Sequence, residues 1–278
     1  MAPSVTRDIL AHGAKIPKIG LGTWQLTGRS CREAVSAALG LGYRHIDTAQ
    51  MYGNESEVGD GIRDAKLERA SLFVTTKLDL GSMTRARVGP SAEESLRKLK
   101  LDYVDLLLIH WPSKSVPMGE TLAAMEALKA RGLVKHIGVS NFTVALMREA
   151  VETHKAEPVC NQIEYHPWLG QAKVLAAARG HGMAVAAYCP LGRGEAPGDR
   201  TLSAIGKRHG KSAAQVALRW LIEQDGVAAI PKSSSREHIA ANLDVFDFAL
   251  TDEDRAEIAR LPKDQRIVNW GASPVWDR

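Results

Sequence analysis

Eight times along this chain a short apolar run ends on polar residues and gives way to an amphipathic stretch, a repetition that constrains the fold more than any single motif. The runs fall near residues 19–24, 43–47, 72–77, 104–110, 136–140, 159–164, 183–188 and 226–231. The helical patterns between and after them fall near 30–41, 55–65, 91–100, 118–131, 143–153, 171–181, 201–209 with 212–224, and 236–245. Runs such as VDLLLI (104 to 109) are apolar on both faces, as strands of a parallel sheet covered by helices must be. Eight such units predict an α/β fold closed into a (β/α)₈ TIM barrel, and 278 residues suit one such domain spanning 1–278. A doubly wound sheet would want a GxGxxG turn after its first strand, which Gly20, Gly22 and the following Trp24 do not supply.

Local signals fill in the outline. Residues 8–17, with His12-Gly13 between two apolar pieces, predict a β-hairpin plugging one end of the barrel. The Ser-x-x-Glu boxes at Ser30 to Glu33 and Ser91 to Glu94 predict the starts of two helices. Two helices are extra to the eight, one within the 201–224 pair and one at 251–260, and the tail from about 262, carrying Trp270 and Trp276, is expected to fold over the barrel mouth.

Composition narrows the class of function. The formal charge is +4 with Lys and Arg scattered, so neither nucleic acid nor an anionic membrane is an expected partner. Three widely spaced cysteines argue against a disulfide framework and for a reducing compartment. The opening MAPSVTRDIL lacks the apolar run of a signal peptide and no later run approaches a membrane span, which makes the cytoplasm the expectation. His136, His154, His181 and His209 show no ligand spacing, and no metal is expected.

Parallel closure gathers the C-terminal ends of all strands on one face. Asp47, Lys77, His110, Ser140 with Asn141, Gln162 with Glu164, Tyr188 and Lys232 stand at or near successive strand ends, so one pocket would hold them. Asp47, Tyr52, Lys77 and His110 have natural roles there. An ammonium beside a phenol favours its ionised form and lowers its pKa, which assigns Lys77 to Tyr52. Asp47 would keep the ammonium charged, and His110 would donate a hydrogen bond to a carbonyl oxygen. Such a set suits protonation of an oxygen on which negative charge develops.

These residues also carry a family likeness. GLGTW (20 to 24), HIDTAQMYGNE (45 to 55), TTKL (75 to 78), LIHWP (108 to 112), GVSNF (138 to 142), NQIEYHP (161 to 167), YCPLG (188 to 192) and IPKSS (230 to 234) resemble, in order, the motifs of the aldo-keto reductases. The resemblance covers essentially the whole chain and is strongest to small prokaryotic members of the 2,5-diketo-gluconate reductase type. It implies NAD(P)H-dependent reduction of aldehydes, ketones or small dicarbonyls, with Tyr52 as proton donor, by a monomer.

It further implies that Ser140, Asn141 and Gln162 meet the nicotinamide carboxamide, that Tyr188 stacks on the ring, and that Gly22, Thr23 and Asp47 lie by its ribose. Cofactor phosphates are expected near the last two strands. Leu191 and Gly192 would line the pyrophosphate, while Lys232, Ser233, Ser234, Ser235 and Arg236 suit an adenosine 2′-phosphate, with Arg236 as a clamp. Trp24, Trp111 and Trp270 are the expected substrate contacts. The chain departs from many relatives at His238 and at Ala241-Asn242, where an arginine and a Glu-Asn pair are usual. A neutral imidazole gives less charge to a dianion, so the expectation is NADPH preference with some NADH use. The alternatives are a non-catalytic nicotinamide-binding barrel acting as an interaction subunit, and a barrel isomerase or lyase without a redox cofactor.

Overall fold

In the computed structural model, which describes residues 6–277, Asp8–Ala11 (β1) and Ala14–Pro17 (β2) pair antiparallel. The first five residues, which open the stretch read for a signal peptide, and the last residue of the expected domain lie outside the described residues. His12 and Gly13 both have positive φ, 42° and 80°, the conformation of a two-residue hairpin turn whose twist matches its strands. The hairpin presses Ile9, Ala11, Ala14 and Ile16 against Phe73, Leu106, Cys160 and Ala184 from the strands above, so it plugs that end as its sequence predicts.

Eight parallel strands follow: Leu21–Gly22 (β3), His45–Asp47 (β4), Phe73–Leu78 (β5), Val104–Ile109 (β6), Val134–Ser140 (β7), Cys160–Glu164 (β8), Ala184–Tyr188 (β9) and Val227–Ala229 (β10). Each pairs with the next in sequence order. The sheet closes where Ile19 bridges Ala229: Gly20 N–H donates to Ala229 O (2.9 Å) and Gly22 N–H to Pro231 O (3.0 Å). That seam needs glycine, because a Cβ on Gly22 would lie 2.7 Å from the Ile230 carbonyl oxygen. β5 and β6 are buried along their whole length, as strands with a packed barrel on one side and helices on the other must be.

Around the sheet run Gly28–Gly40 (α1), Glu55–Ala65 (α2), Arg85–Leu99 (α3), Met118–Ala130 (α4), Val144–Arg148 (α5), Ala172–Gly180 (α6), Arg200–His209 (α7), Ala213–Glu223 (α8), Arg236–Leu243 (α9) and Asp252–Ala259 (α10). Neither Ser-x-x-Glu box opens its helix. Helix α1 begins behind Thr27, leaving Ser30 inside it, and Glu33 is taken by Arg29 one turn back at 2.6 Å. Helix α3 begins behind Thr84 and runs through Pro90. Its Ser91 is a mid-helix acceptor, receiving the Gln50 amide on both Oγ (2.6 Å) and O (3.1 Å). The first barrel strand is also shorter than its apolar run, since Trp24 is exposed and Gln25 turns left-handed at φ 63°.

Candidate active site

Asp47 is the last residue of β4, Lys77 lies one residue from the end of β5, and His110 immediately follows β6. Side chains alternate along a strand, so those pointing inward at the C-terminal rim meet over the barrel axis. Tyr52 reaches the same place on a tight 3₁₀ turn, Gln50–Tyr52, stopped by Gly53 at φ 66°. That loop is pinned by two amides. Asn54 Nδ2 donates to Thr23 O and Leu26 O, each at 2.8 Å, and its Oδ1 accepts from Thr48 Oγ1 at 2.8 Å. Gln50 accepts from Asp79 N–H at 2.9 Å while its own amide holds α3.

The Lys77 ammonium has three N–H donors and uses each: Asp47 Oδ1 at 2.5 Å, Thr48 O at 2.9 Å and Tyr52 Oη at 3.2 Å. Asp47 Oδ2 accepts from Gln162 Nε2 at 2.6 Å. Burial pulls the Lys77 pKa down, but Asp47 and the Tyr52 oxygen outweigh it and hold the ammonium above its ordinary value. For Tyr52 the balance falls the other way from the sequence expectation. Burial raises the phenol, Lys77 lowers it, Asp47 raises it again, and the net direction is upward. Lys77 acts in the expected sense, and desolvation of a nascent phenolate is the larger effect. Burial, with Lys77 adding to it, drives His110 well below the usual imidazole value, so it is neutral at pH 7. Its ring meets Tyr52 edge-on at 5.7 Å, and its Nδ1 is buried with no partner among the described residues.

The other predicted rim residues form a second, linked set. Asn141, left-handed at φ 64°, donates from Nδ2 to His110 O (2.9 Å) and Ser140 Oγ (3.0 Å) and accepts from Tyr188 Oη on Oδ1 (2.7 Å). Ser140 Oγ donates to Gln162 O at 2.8 Å. Gly22 and Thr23 adjoin, with Thr23 Oγ1 donating to Asp47 O at 2.9 Å. Leu191 leads into Gly192, Arg193 and Gly194, all at positive φ, which carry the chain across until the Arg193 guanidinium lies 4.6 Å from the centre of the Trp24 ring.

At α9, Ser235 caps the helix by accepting from His238 N–H, and Lys232, Ser234, Arg236 and His238 are exposed, Ser233 is half-buried and Asn242 is buried. Ser234 and Arg236 line a cleft of about 730 Å³ with Arg29, Arg32 and Asp64, off the rim and away from Tyr52. Of the tryptophans, Trp24 is 38% exposed and Trp270 45%, but Trp111 only 4%, because Trp270 and Trp276 pack edge-on against it at 5.4 and 6.3 Å. Trp111 is therefore covered by the tail rather than open at the mouth.

Sequence reasoning missed Thr48, which holds Lys77 through its carbonyl, and the parts that Asn54 and Gln50 play in pinning the Tyr52 loop. A backbone acceptor such as the Thr48 carbonyl leaves no signal in the sequence.

The aldo/keto reductase family model matches residues 18–263. The chain belongs to the aldo/keto reductase family. It is 41% identical to the methylglyoxal reductase DkgB of Escherichia coli O157:H7 over 94% of this chain and 99% of that one. It is 41% identical to the glyoxal reductase of Bacillus subtilis (strain 168), covering 93% of each. Among solved structures, one provisionally assigned as a 2,5-diketo-D-gluconic acid reductase B superposes with a TM-score of 0.96 at 44% identity over 99% of each chain. The Bombyx mori aldo-keto reductase in complex with NADP superposes with a TM-score of 0.88 at 38% identity over 94% of each chain. This aldo/keto reductase thus shares fold and length with carbonyl-reducing enzymes.

Proposed function

We propose that this aldo/keto reductase reduces aldehydes, ketones and small dicarbonyls to alcohols with NADPH, Tyr52 supplying the proton. The observation that carries the reading is the Asp47–Lys77–Tyr52 chain. Lys77 donates to Tyr52 Oη, so the phenolic proton points elsewhere, free for a substrate oxygen. A phenol above its ordinary pKa of about 10 is fully protonated at neutral pH, as an acid in a reduction must be. When the proton leaves, the ammonium steadies the phenolate and Asp47 keeps that ammonium in place. Neutral His110 offers an N–H to the same oxygen.

The donor set around Asn141 fits a nicotinamide. Both of its Nδ2 protons are committed, whereas its Oδ1 retains a lone pair, so the rim presents acceptor capacity suited to a carboxamide NH₂. Ser140, Asn141 and Gln162 would hold the carboxamide, the Tyr188 ring would cover the nicotinamide, and Gly22, Thr23 and Asp47 would flank its ribose. Leu191, Gly192, Lys232, Ser233, Ser234 and Arg236 would take the phosphates, with His238 and Asn242 at the adenosine. Bound reduced nicotinamide supplies a hydride to the carbonyl carbon. Arg236 shares its cleft with Arg29 and Arg32, but those two are paired with Glu33 and Asp64, so Arg236 is the cation that supports NADPH preference although residue 238 is histidine.

Trp24 and Trp270 are the proposed substrate contacts, with Trp111 behind Trp270. The chain acts as one barrel domain and as a cytoplasmic monomer, with no nucleic acid or membrane partner. Among the described residues no helix is long and apolar enough to cross a membrane.

The test is methylglyoxal-dependent NADPH oxidation by wild type and Tyr52→Phe. Loss of the acid should lower kcat by about 10²- to 10⁴-fold without weakening NADPH binding. A wild type that binds NADPH yet reduces no carbonyl would favour the interaction-subunit alternative, and failure to bind NADPH would favour a barrel without redox chemistry.

A further inference from the structure

Glu164 ends β8 with its side chain wholly buried, and the proposed reaction does not use it. A carboxylate is kept out of water only where donors replace its hydration. Here the donors come from the C-terminal tail: Ile267 N–H reaches Oε1 at 2.7 Å and Val268 N–H reaches Oε2 at 2.8 Å. His166 Nε2 stands 3.0 Å from Oε1 and Arg266 Nη1 4.0 Å from Oε2.

Just upstream, the tail runs beside the loop after β8. Leu169 bridges Asp264, Gly170 N–H donates to Lys263 O at 2.9 Å, and Gln265 N–H donates to Trp168 O at 3.0 Å. Downstream it carries Trp270 and Trp276 against Trp111, whose ring lies 6.3 Å from that of His110. Gly271 O then accepts from Lys114 Nζ at 2.8 Å. The wall beside the substrate opening is thus held at its base by a carboxylate inside the barrel rim, two residues along the same strand face from Gln162, which holds Asp47, and farther on by Asp277 Oδ2, which accepts from Val144 N–H at 2.9 Å, and by Arg266, 3.9 Å from the Trp276 ring centre.

We propose that Glu164 is a positioning residue for substrate selection: its carboxylate latches residues 267–268 to the rim and so fixes the Trp270 and Trp276 wall at the mouth. The inference rests on the reductase reading of the site. A carboxylate suits the task because each oxygen accepts one backbone N–H. In Glu164→Gln one of those N–H groups would face an NH₂, donor against donor.

Glu164→Gln and Val268→Pro, singly and together, test the latch; the proline deletes one tail donor without altering the barrel. Each single variant should raise the KM for methylglyoxal about tenfold, with kcat and the NADPH Kd from fluorescence titration unchanged. Each should also narrow the preference for methylglyoxal over a bulky aromatic aldehyde and speed tryptic cleavage after Lys263 or Arg266. The double variant should be no worse than either single one, because both cut the same contact. Wild-type KM and cleavage rate in both variants, fully multiplicative effects, or a fall in kcat at constant KM would overturn the proposal, as would a lower Tm without change in KM. Should Glu164→Gln fail to fold, Val268→Pro alone decides. Should the wild type reduce no carbonyl, the reductase reading fails while the cleavage rates still report whether Glu164 holds the tail.

Discussion

Lys77 gives its three donors to a carboxylate, a carbonyl and a phenol, and the phenol stays protonated because burial outweighs the pull of that ammonium. Burial keeps Tyr52 protonated and His110 neutral, with consequences at opposite ends of the pH scale. The kcat/KM for reduction should stay level as pH falls through 6.5, since His110 does not charge there, and should decline only above about pH 10 as the phenol ionises. Stability behaves differently. His45, which lies under Asp47 within reach of Pro17 O and Thr75 Oγ1, is also buried and held below its ordinary value. Both imidazoles take up protons more readily unfolded than folded, so Tm should fall as pH drops below about 6.5 while the rate does not. A rate that follows the same acid limb as Tm would mean that His110 titrates in the working enzyme. Cofactor choice also belongs to single residues. With His238 in place of arginine but Arg236 retained, kcat/KM should favour NADPH with measurable turnover on NADH, and a preference for NADH would overturn that assignment.

Among the elements, β3 is the one that glycine decides. A methyl on Gly22 would meet the Ile230 carbonyl at 2.7 Å, so Gly22→Ala should push β3 from the seam with β10 and cost about 1–3 kcal/mol in urea unfolding. An unchanged midpoint would mean that the seam is looser than it looks. Existence and order of the barrel elements were legible in the chain because alternating strand and helix periods survive without knowledge of partners. Helix starts were less so: the Ser-x-x-Glu signature is equally satisfied inside a first turn, where Arg29 claims Glu33, or mid-helix, where Gln50 claims Ser91.

For the whole molecule, barrel closure turns eight separate strand ends into one surface, which is why residues from Asp47 to Tyr188 were legible as neighbours before any contact was known. Contacts that depend on the backbone or on the tail were not legible. The Thr48 carbonyl under Lys77, the burial of Trp111 beneath Trp270 and Trp276, and the tail amides on Glu164 follow from three-dimensional approach that no spacing encodes. The net direction of the Tyr52 shift was hidden for a related reason, because its neighbours are readable but the depth of its burial is not. What unites these parts is a lysine-held phenol and a hydride donor acting on one carbonyl at the same rim. The most direct measurement is reduction of methylglyoxal with NADPH carrying deuterium at both hydrogens of nicotinamide C4, followed by mass analysis of the alcohol. The account predicts one deuterium on the new carbinol carbon with wild type and almost no product with Tyr52→Phe. Alcohol formed without that deuterium, or formed equally well by Tyr52→Phe, would contradict it.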